Sequence, residues 1–232
     1  DVFLAEGVKM FLEAPREQLQ EVYVSESFLE KCSCREHLEE VGYEVVSDSV
    51  FSKISDTCTP QGVLCVLKQF HYNIEEMLRD KAPLFLLLEN IQDPGNLGTM
   101  LRTGEGAGVS GIIMSRDTVD LYNPKVIRST MGSIYRVPFY YADDFAAAVH
   151  QVQRAGVSVY AAHLRGKNSY ACQDYTKGTA FLIGNEGNGL REETAELADC
   201  YIRIPMEGKV ESLNAAVASS ILMYEAHRQR AT

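Results

Sequence analysis

The sequence predicts an α/β protein of two unequal lobes, the second built on a mainly parallel sheet. Three observations lead there. The 232 residues exceed the ~100–200 of one ordinary domain without reaching three. From residue 83 onward, short continuous apolar runs alternate with helical patterns, and runs without polar alternation mark strands covered on both faces. Glycine and asparagine clusters interrupt the pattern where those runs end. The composition, 46% hydrophobic and 23% charged, suits a globular chain with a real core and excludes disorder and collagen-like repeats.

The longest apolar stretch, LFLLL at 84–88, falls far short of the ~20 residues of a membrane span. No partner membrane is expected. The chain opens at Asp1 without a basic-then-apolar leader, so no secretion signal is visible and a cytoplasmic protein is expected. Six cysteines (Cys32, Cys34, Cys58, Cys65, Cys172, Cys200) are scattered rather than paired at framework spacing, which suits reduced thiols. Cys32, Cys34 and His37 cluster without a second pair at zinc-binding distance, and read as ordinary helix residues with no metal.

In the first lobe, strand-like runs at 21–25, 43–47 and 62–68 are separated by charged helical segments, a small α/β unit. Ile74, Met77 and Leu78 then have helical spacing before Pro83 interrupts. The expected organisation is a first domain over 1–70, a linker over 71–82 and a second domain over 83–232. Strand candidates in the second domain lie at 83–90, 111–115, 137–142, 157–163, 179–184 and 201–205. Charge is uneven: residues 1–82 hold 8 Lys and Arg against 16 Asp and Glu, whereas 83–232 hold 14 against 16, within a net charge of −10. A near-neutral second lobe can carry a local basic surface, so composition neither excludes RNA nor suggests it.

Ligands of open α/β sheets bind beyond the carboxyl ends of the strands, and three polar clusters stand there. The first, DPGNLGTMLRTGEGAG at 93–108, has a Pro94-Gly95 turn, Asn96 as N-cap, and Leu97, Met100 and Leu101 as the buried helix face. Arg102 falls on another face, about 9 Å along the axis from Asn96. The second, FLIGNEGNGL at 181–190, runs a strand directly into Gly184, Asn185, Glu186, Gly187, Asn188 and Gly189. The third, at 204–230, ends a strand at Pro205 and begins a helix near Ser212 or Asn214, with Leu213, Val217, Ile221 and Tyr224 as an apolar stripe. Its small residues Ala215, Ala218 and Ser219 permit close helix approach, and such a terminal helix also suits a dimer interface. Gly106, Gly108 and Gly111 spell a dinucleotide fingerprint, but they close a helix and open a strand, the reverse of what that motif requires. His163 ends a strand without a nucleophile elbow and reads as structural.

The three clusters, in this order, resemble motifs 1, 2 and 3 of the SpoU branch of the SPOUT RNA methyltransferases, over roughly residues 83–230. The first lobe, with EGVKMFLEA at 6–14 and TPQGVLCV at 59–66, is similar to the substrate-binding domain of many members, a small α/β domain resembling a ribosomal-protein fold. The resemblance implies a deep trefoil knot in the C-terminal part, an exception to the usual absence of knots. It implies transfer of a methyl group from S-adenosyl-L-methionine to a ribose 2′-hydroxyl of RNA, with ribosomal RNA preferred and tRNA the alternative. It implies a homodimer through the C-terminal helix and knot region.

By the same resemblance, Arg102 acts on the 2′-hydroxyl, and Asn96, Glu186, Ser212 and Asn214 complete the polar pocket. Gly184, Asn185, Gly187, Ile204, Met206 and Leu213 hold the cofactor, Gly184 by admitting it closely. No metal is needed, because a sulfonium leaving group departs neutral. Arginine, with a pKa above ~12, is a poor base, so Arg102 is expected to fix the RNA while another acceptor takes the proton. Ala216 stands where the family often has serine. That difference is the one sequence feature pointing to a non-catalytic RNA-binding protein of the same fold.

Overall fold

The computed structural model describes residues 1–210 and 212–231. The chain runs β1 (Val2–Glu6), α1 (Val8–Glu13), β2 (Leu19–Ser25), α2 (Glu26–Lys31), α3 (Arg35–Val41), β3 (Glu44–Val46), α4 (Asp48–Ile54) and β4 (Val63–Lys68). These form a four-stranded sheet in the order β1-β4-β2-β3, antiparallel except for the β2–β3 pair. A short α5 (Ile74–Met77) leads to β5 (Leu84–Leu88), α6 (Pro94–Ala107), β6 (Gly111–Ser115), α7 (Pro124–Thr130), β7 (Phe139–Ala142), α8 (Phe145–Arg154) and β8 (Ser158–Ala162). Then come β9 (Asn168–Ser169), β10 (Thr179–Ile183), α9 (Glu192–Ala195), β11 (Cys200–Arg203) and α10 (Ala215–Arg230). The second sheet, β7-β6-β5-β10-β8-β11-β9, is parallel throughout.

The central strands β5, β6 and β10 are buried at every position, as their unbroken apolar runs require. Alternate residues serve two cores. Leu86, Leu88, Met114 and Phe181 pack with Leu97, Met100 and Leu222 on one face, while Phe85, Leu87, Ile113 and Leu182 pack with Ile74, Met77, Val149 and Val152 on the other. Segment 71–82 thus contributes to this second core. Gly111 makes room for it, since a Cβ there would meet the Met77 methyl at 2.2 Å. The first core continues into the first lobe through Phe3, Phe11 and Val24. Tyr122 OH accepts from Phe70 N at 2.7 Å, the Tyr135 hydroxyl donates to Met10 O at 3.1 Å, and Arg128 pairs with Asp56 at 2.6 Å. The two sheets therefore share a packed boundary.

Two expectations about helices change. Asp93, not Asn96, caps α6: its side chain accepts from Asn96 N at 2.8 Å, with Pro94 in the first helical turn. The Asn96 side chain is thereby released for other work. In α10 the expected apolar stripe faces outward, with Val217 48% and Tyr224 50% exposed, whereas Ala215, Ala216, Ser219, Leu222, Met223 and Ala226 are buried. The inner face takes mostly small residues, and where it carries Met223 the facing α6 has Gly104, whose built Cβ would lie 3.8 Å from Met223 Sδ. Strand β1, not among the expected strands, pairs antiparallel with β4 at the sheet edge, with Phe3 and Ala5 buried and Val2 and Leu4 exposed.

The far end of α10 is pinned by Arg230, whose guanidinium donates to Ala82 O, Pro83 O, Tyr175 O and Lys177 O at 2.8, 3.2, 2.8 and 2.6 Å. These carbonyls belong to the segments entering β5 and β10. Arg230→Ala should cost about 2 kcal/mol, since bonds from a charged donor are individually the stronger kind. A drop of roughly 4–8 °C in melting temperature is expected for a chain of this length. A shift under a degree would show that water replaces the guanidinium without loss.

Candidate active site

Because the strands are parallel and paired in register at Leu88 with Ile183, the segments leaving β5, β10 and β11 emerge on one side of the sheet. They are residues 89–93, 184–191 and, among the described residues, 204–210 with 212–214. The middle segment is shaped by its own residues. Asn185 and Gly189 exchange backbone hydrogen bonds at 3.0 and 2.9 Å, and Asn185 Oδ1 accepts from Gly187 N and Asn188 N at 3.0 and 3.1 Å. Gly189 takes φ +69°, a left-handed conformation that glycine adopts without strain. A Cβ on Gly184 would lie 2.2 Å from Gly189 C and Leu190 N. On that side the absence of a side chain lets the loop's own backbone pack close, while Gly184 itself borders the cavity.

The three segments are joined by directed hydrogen bonds. Glu186 accepts from Gln92 N at 3.1 Å, and from Asp93 N and Asn96 Nδ2 at 3.0 Å each. Asn96 Oδ1 in turn accepts from Asn214 Nδ2 at 2.9 Å, while Asn214 Oδ1 caps α10 by accepting from Ala216 N and Val217 N at 2.9 and 3.2 Å. Asn185 Nδ2 adds a bond to Asn90 O at 2.8 Å, and Asn90 sits at φ +54°, where asparagine is tolerated. Partial burial opposes ionisation of Glu186, but the bonds from Asn96, Asp93 and Gln92 outweigh it and hold the carboxyl below its ordinary range. The stability this contributes is present above the unfolded carboxylate pKa and is lost as pH falls through the lowered folded value.

These joined loops wall a cavity of about 260 Å³ lined by Ile183, Gly184, Asn185, Glu186, Gly187, Ile202, Ile204, Met206, Ser212 and Leu213, and also by His163 and Leu164 from the end of β8. A polar mouth continues past Gln92, Asp93, Asn96 and Asn214. One end is thus aliphatic and the other is amide, carboxylate and hydroxyl. His163 accepts from Arg165 N at 3.1 Å through Nδ1 and lies against Tyr201, ring centroids 5.0 Å apart. Burial and the Arg165 charge push its pKa down.

The structure brings Asn96, Glu186 and Asn214 into direct contact and puts Ser212 and all six expected cofactor residues on the cavity wall. Arg102 does not line it. That residue is exposed on α6, about 9 Å beyond Asn96, and among the described residues no hydrogen bond or ion pair holds its guanidinium. Ala216 is 3% exposed and faces the core, so the small residue there removes nothing from the cavity wall, which takes Ala215 and Ala218 instead. The roles of Glu89, Asn90 and Gln92 escaped the sequence reading. Their signal was Glu89 itself, a charge closing an apolar strand.

The SpoU rRNA Methylase family model matches residues 83–224, and the MRM3-like substrate binding domain model matches residues 1–65. The chain belongs to the SpoU rRNA methylase family. It is 35% identical over 180 residues, 78% of this chain and 70% of the other, to the 23S rRNA (guanosine(2553)-2′-O)-methyltransferase RlmP of Bacillus subtilis. It is 32% identical over 222 residues, 92% of this chain and 91% of the other, to the 23S rRNA (guanosine-2′-O-)-methyltransferase RlmB of Bordetella pertussis. Among solved structures, the AdoMet-bound SpoU methyltransferase AviRb of Streptomyces viridochromogenes superposes with a TM-score of 0.89 at 27% identity, covering 100% of this chain and 91% of that one. The AdoMet-bound rRNA methyltransferase of Sinorhizobium meliloti gives 0.82 at 32% identity, covering 98% and 87%.

A double-mutant cycle tests the amide chain. Asn96→Ala and Asn214→Ala should each cost about 1 kcal/mol, with a coupling of roughly 0.5–1.5 kcal/mol between them in urea denaturation. Strict additivity would mean that the two amides do not depend on each other.

Proposed function

We propose that this chain is an S-adenosyl-L-methionine-dependent methyltransferase acting on a ribose 2′-hydroxyl of RNA, with ribosomal RNA as the substrate. The convergence of three loops on one half-apolar, half-polar cavity carries this reading. The printed activities of RlmP and RlmB and the AdoMet-bound relatives support it. The residues fit the cofactor: Ile183, Ile204, Met206 and Leu213 would pack an adenine, and Asn185, Glu186 and Ser212 border the end suited to a charged amino-acid moiety. When bound, the cofactor supplies a methyl group on a positively charged sulfur.

This chain's own residues supply position and electrostatics, which can account for much of a barrier reduction. Glu186 accepts from three N–H groups that hold its carboxyl below its ordinary range, so it anchors the site and is a weakened base toward the substrate proton. Asn96, fixed between Glu186 and Asn214, keeps one amide orientation at the polar mouth. Arg102, an always-charged fork, grips an RNA phosphate and orients the 2′-hydroxyl from the α6 surface. The first lobe, over residues 1–70 and joined through 71–82 to the catalytic domain at 83–232, serves as the RNA substrate-binding domain.

A homodimer is part of the proposal. The outward stripe of Val217, Ile221 and Tyr224 on α10 is the face a second copy would cover, and Tyr224 leans toward Gly106 of α6, 3.1 Å from a Cβ built there. Arg102, on the same exposed side of α6, would stand at the edge of that contact. The trefoil knot and a cytoplasmic location, the latter consistent with six unpaired cysteines, belong to the same reading.

Methyl incorporation into ribosomal RNA from labelled S-adenosylmethionine tests the activity. Arg102→Ala should lose at least about a hundredfold in turnover, the order typical of removing a group that stabilises a transition state, and Arg102→Lys should not restore it. Cofactor affinity should stay within about threefold. Wild-type enzyme that binds cofactor and never labels RNA would contradict the proposal. Val217→Asp with Tyr224→Asp should convert a dimer to a monomer by light scattering; a wild-type monomer at micromolar concentration would exclude the dimer.

A further inference from the structure

Glu89 closes an otherwise apolar strand and is 1% exposed, and it lies outside the cavity wall. A carboxylate cut off from water persists only where protein donors replace its hydration. Here those donors come from the far end of the 184–191 loop. Arg191 N donates to Glu89 at 2.8 Å, the Thr194 hydroxyl donates at 2.5 Å, and the Arg191 guanidinium stands 3.5 Å away. Arg191 precedes α9 and has no side-chain oxygen to cap it. Glu89 instead holds the start of this helix from the end of β5, through the Arg191 N–H and the Thr194 hydroxyl.

The near end of the same loop is tied one residue further along, where Asn185 Nδ2 donates to Asn90 O at 2.8 Å. The loop is therefore held at both ends by consecutive residues of the segment leaving β5. A second path closes the ring. The Arg191 guanidinium bonds Asp117, Asp117 accepts from Ser115 Oγ at 2.5 Å, and Ser115 Oγ accepts from Asn90 N at 2.8 Å. Gln92 Nε2 bridges Asn90 Oδ1 and Asp117 O at 2.6 and 2.5 Å. Of this ring only Asn185 and Gln92 reach the cavity and its mouth; Glu89, Asn90, Ser115, Asp117 and Arg191 stand behind them.

We infer that Glu89 is a positioning residue for the cofactor: by clamping Arg191 and Thr194 it sets where the 184–191 loop stands against the rest of the cavity. The inference rests on the reading that this cavity takes S-adenosylmethionine. Glu89→Gln keeps shape and volume but removes the charge that faces the Arg191 guanidinium and replaces one of the two acceptor oxygens by an N–H2, so Arg191 N and the Thr194 hydroxyl can no longer both donate to it. The effect falls on the loop and thus on cofactor binding, while RNA contacts made from α6 and the first lobe are spared.

Calorimetric titration with S-adenosylmethionine tests this on the full chain, using wild type, Glu89→Gln, Thr194→Val and Thr194→Ser, with kcat and the KM for RNA measured in parallel. Glu89→Gln should raise the cofactor Kd roughly tenfold and Thr194→Val about threefold. Thr194→Ser, which keeps the donor, should stay within about twofold of wild type, and the KM for RNA should not move. An unchanged Kd in Glu89→Gln, or a serine variant as weak as the valine one, overturns the inference, whatever happens to the melting temperature. Should Glu89→Gln fail to fold, the Thr194 pair decides alone. A wild-type chain that binds no S-adenosylmethionine overturns the reading of the cavity as well, whereas variants that bind as tightly as a binding wild type overturn the clamp only.

Discussion

The site depends on one short relay of side chains, Glu186 to Asn96 to Asn214. Each link has a fixed direction: the carboxylate can only accept, so the Asn96 amide must present its nitrogen to Glu186 and its oxygen to Asn214. Asn214 must then give its own oxygen to the first turn of α10. A reversal at any amide would set two donors or two acceptors against each other. The relay spans 90 residues between its first pair and 118 between its second, so it records the convergence of three loops in a way no local interaction could.

Such bonds contribute only about 1 kcal/mol each after exchange with water, too little to gather three distant loops unaided. The sheet does that work. Strands β5 and β10 are neighbours, buried on both faces and in register, so the ends of motifs 1 and 2 are adjacent before any polar contact forms. Close helix packing does the rest. Gly98 brings α6 against α7, where a Cβ would lie 2.4 Å from Ser129 Cβ, and the alanines and serine of α10 bring its N-terminus beside Asn96. Apolar burial thus fixes the scaffold, and the amides select one arrangement of the loops within it.

Much of this was legible in the residues. The continuous apolar runs marked β5, β6 and β10 because strands covered on both faces cannot tolerate alternation. Asn96, Glu186 and Asn214 were assigned to one pocket by the resemblance to three ordered motifs; by residue type alone Asn96 reads as a helix cap and Asn214 as a helix start. The capping of α6 was misassigned because Asp93 and Asn96 are both good caps by type, and only the release of Asn96 toward Glu186 distinguishes them. The outward stripe of α10 was misread because periodicity reports that a face is apolar, not whether this chain or another covers it. Glu89 was visible as a charge closing an apolar strand, but its partners Arg191 and Thr194 lie 102 and 105 residues away, beyond any local pattern.

The central claim is that residues 89–93, 184–191 and 204–210 form one cofactor cup whose parts respond together. Amide hydrogen exchange with and without S-adenosylmethionine measures this directly. All three segments should slow together on binding, with the first-lobe strands β1 to β4 unchanged. Protection confined to one segment, or appearing in the first lobe instead, would contradict the account.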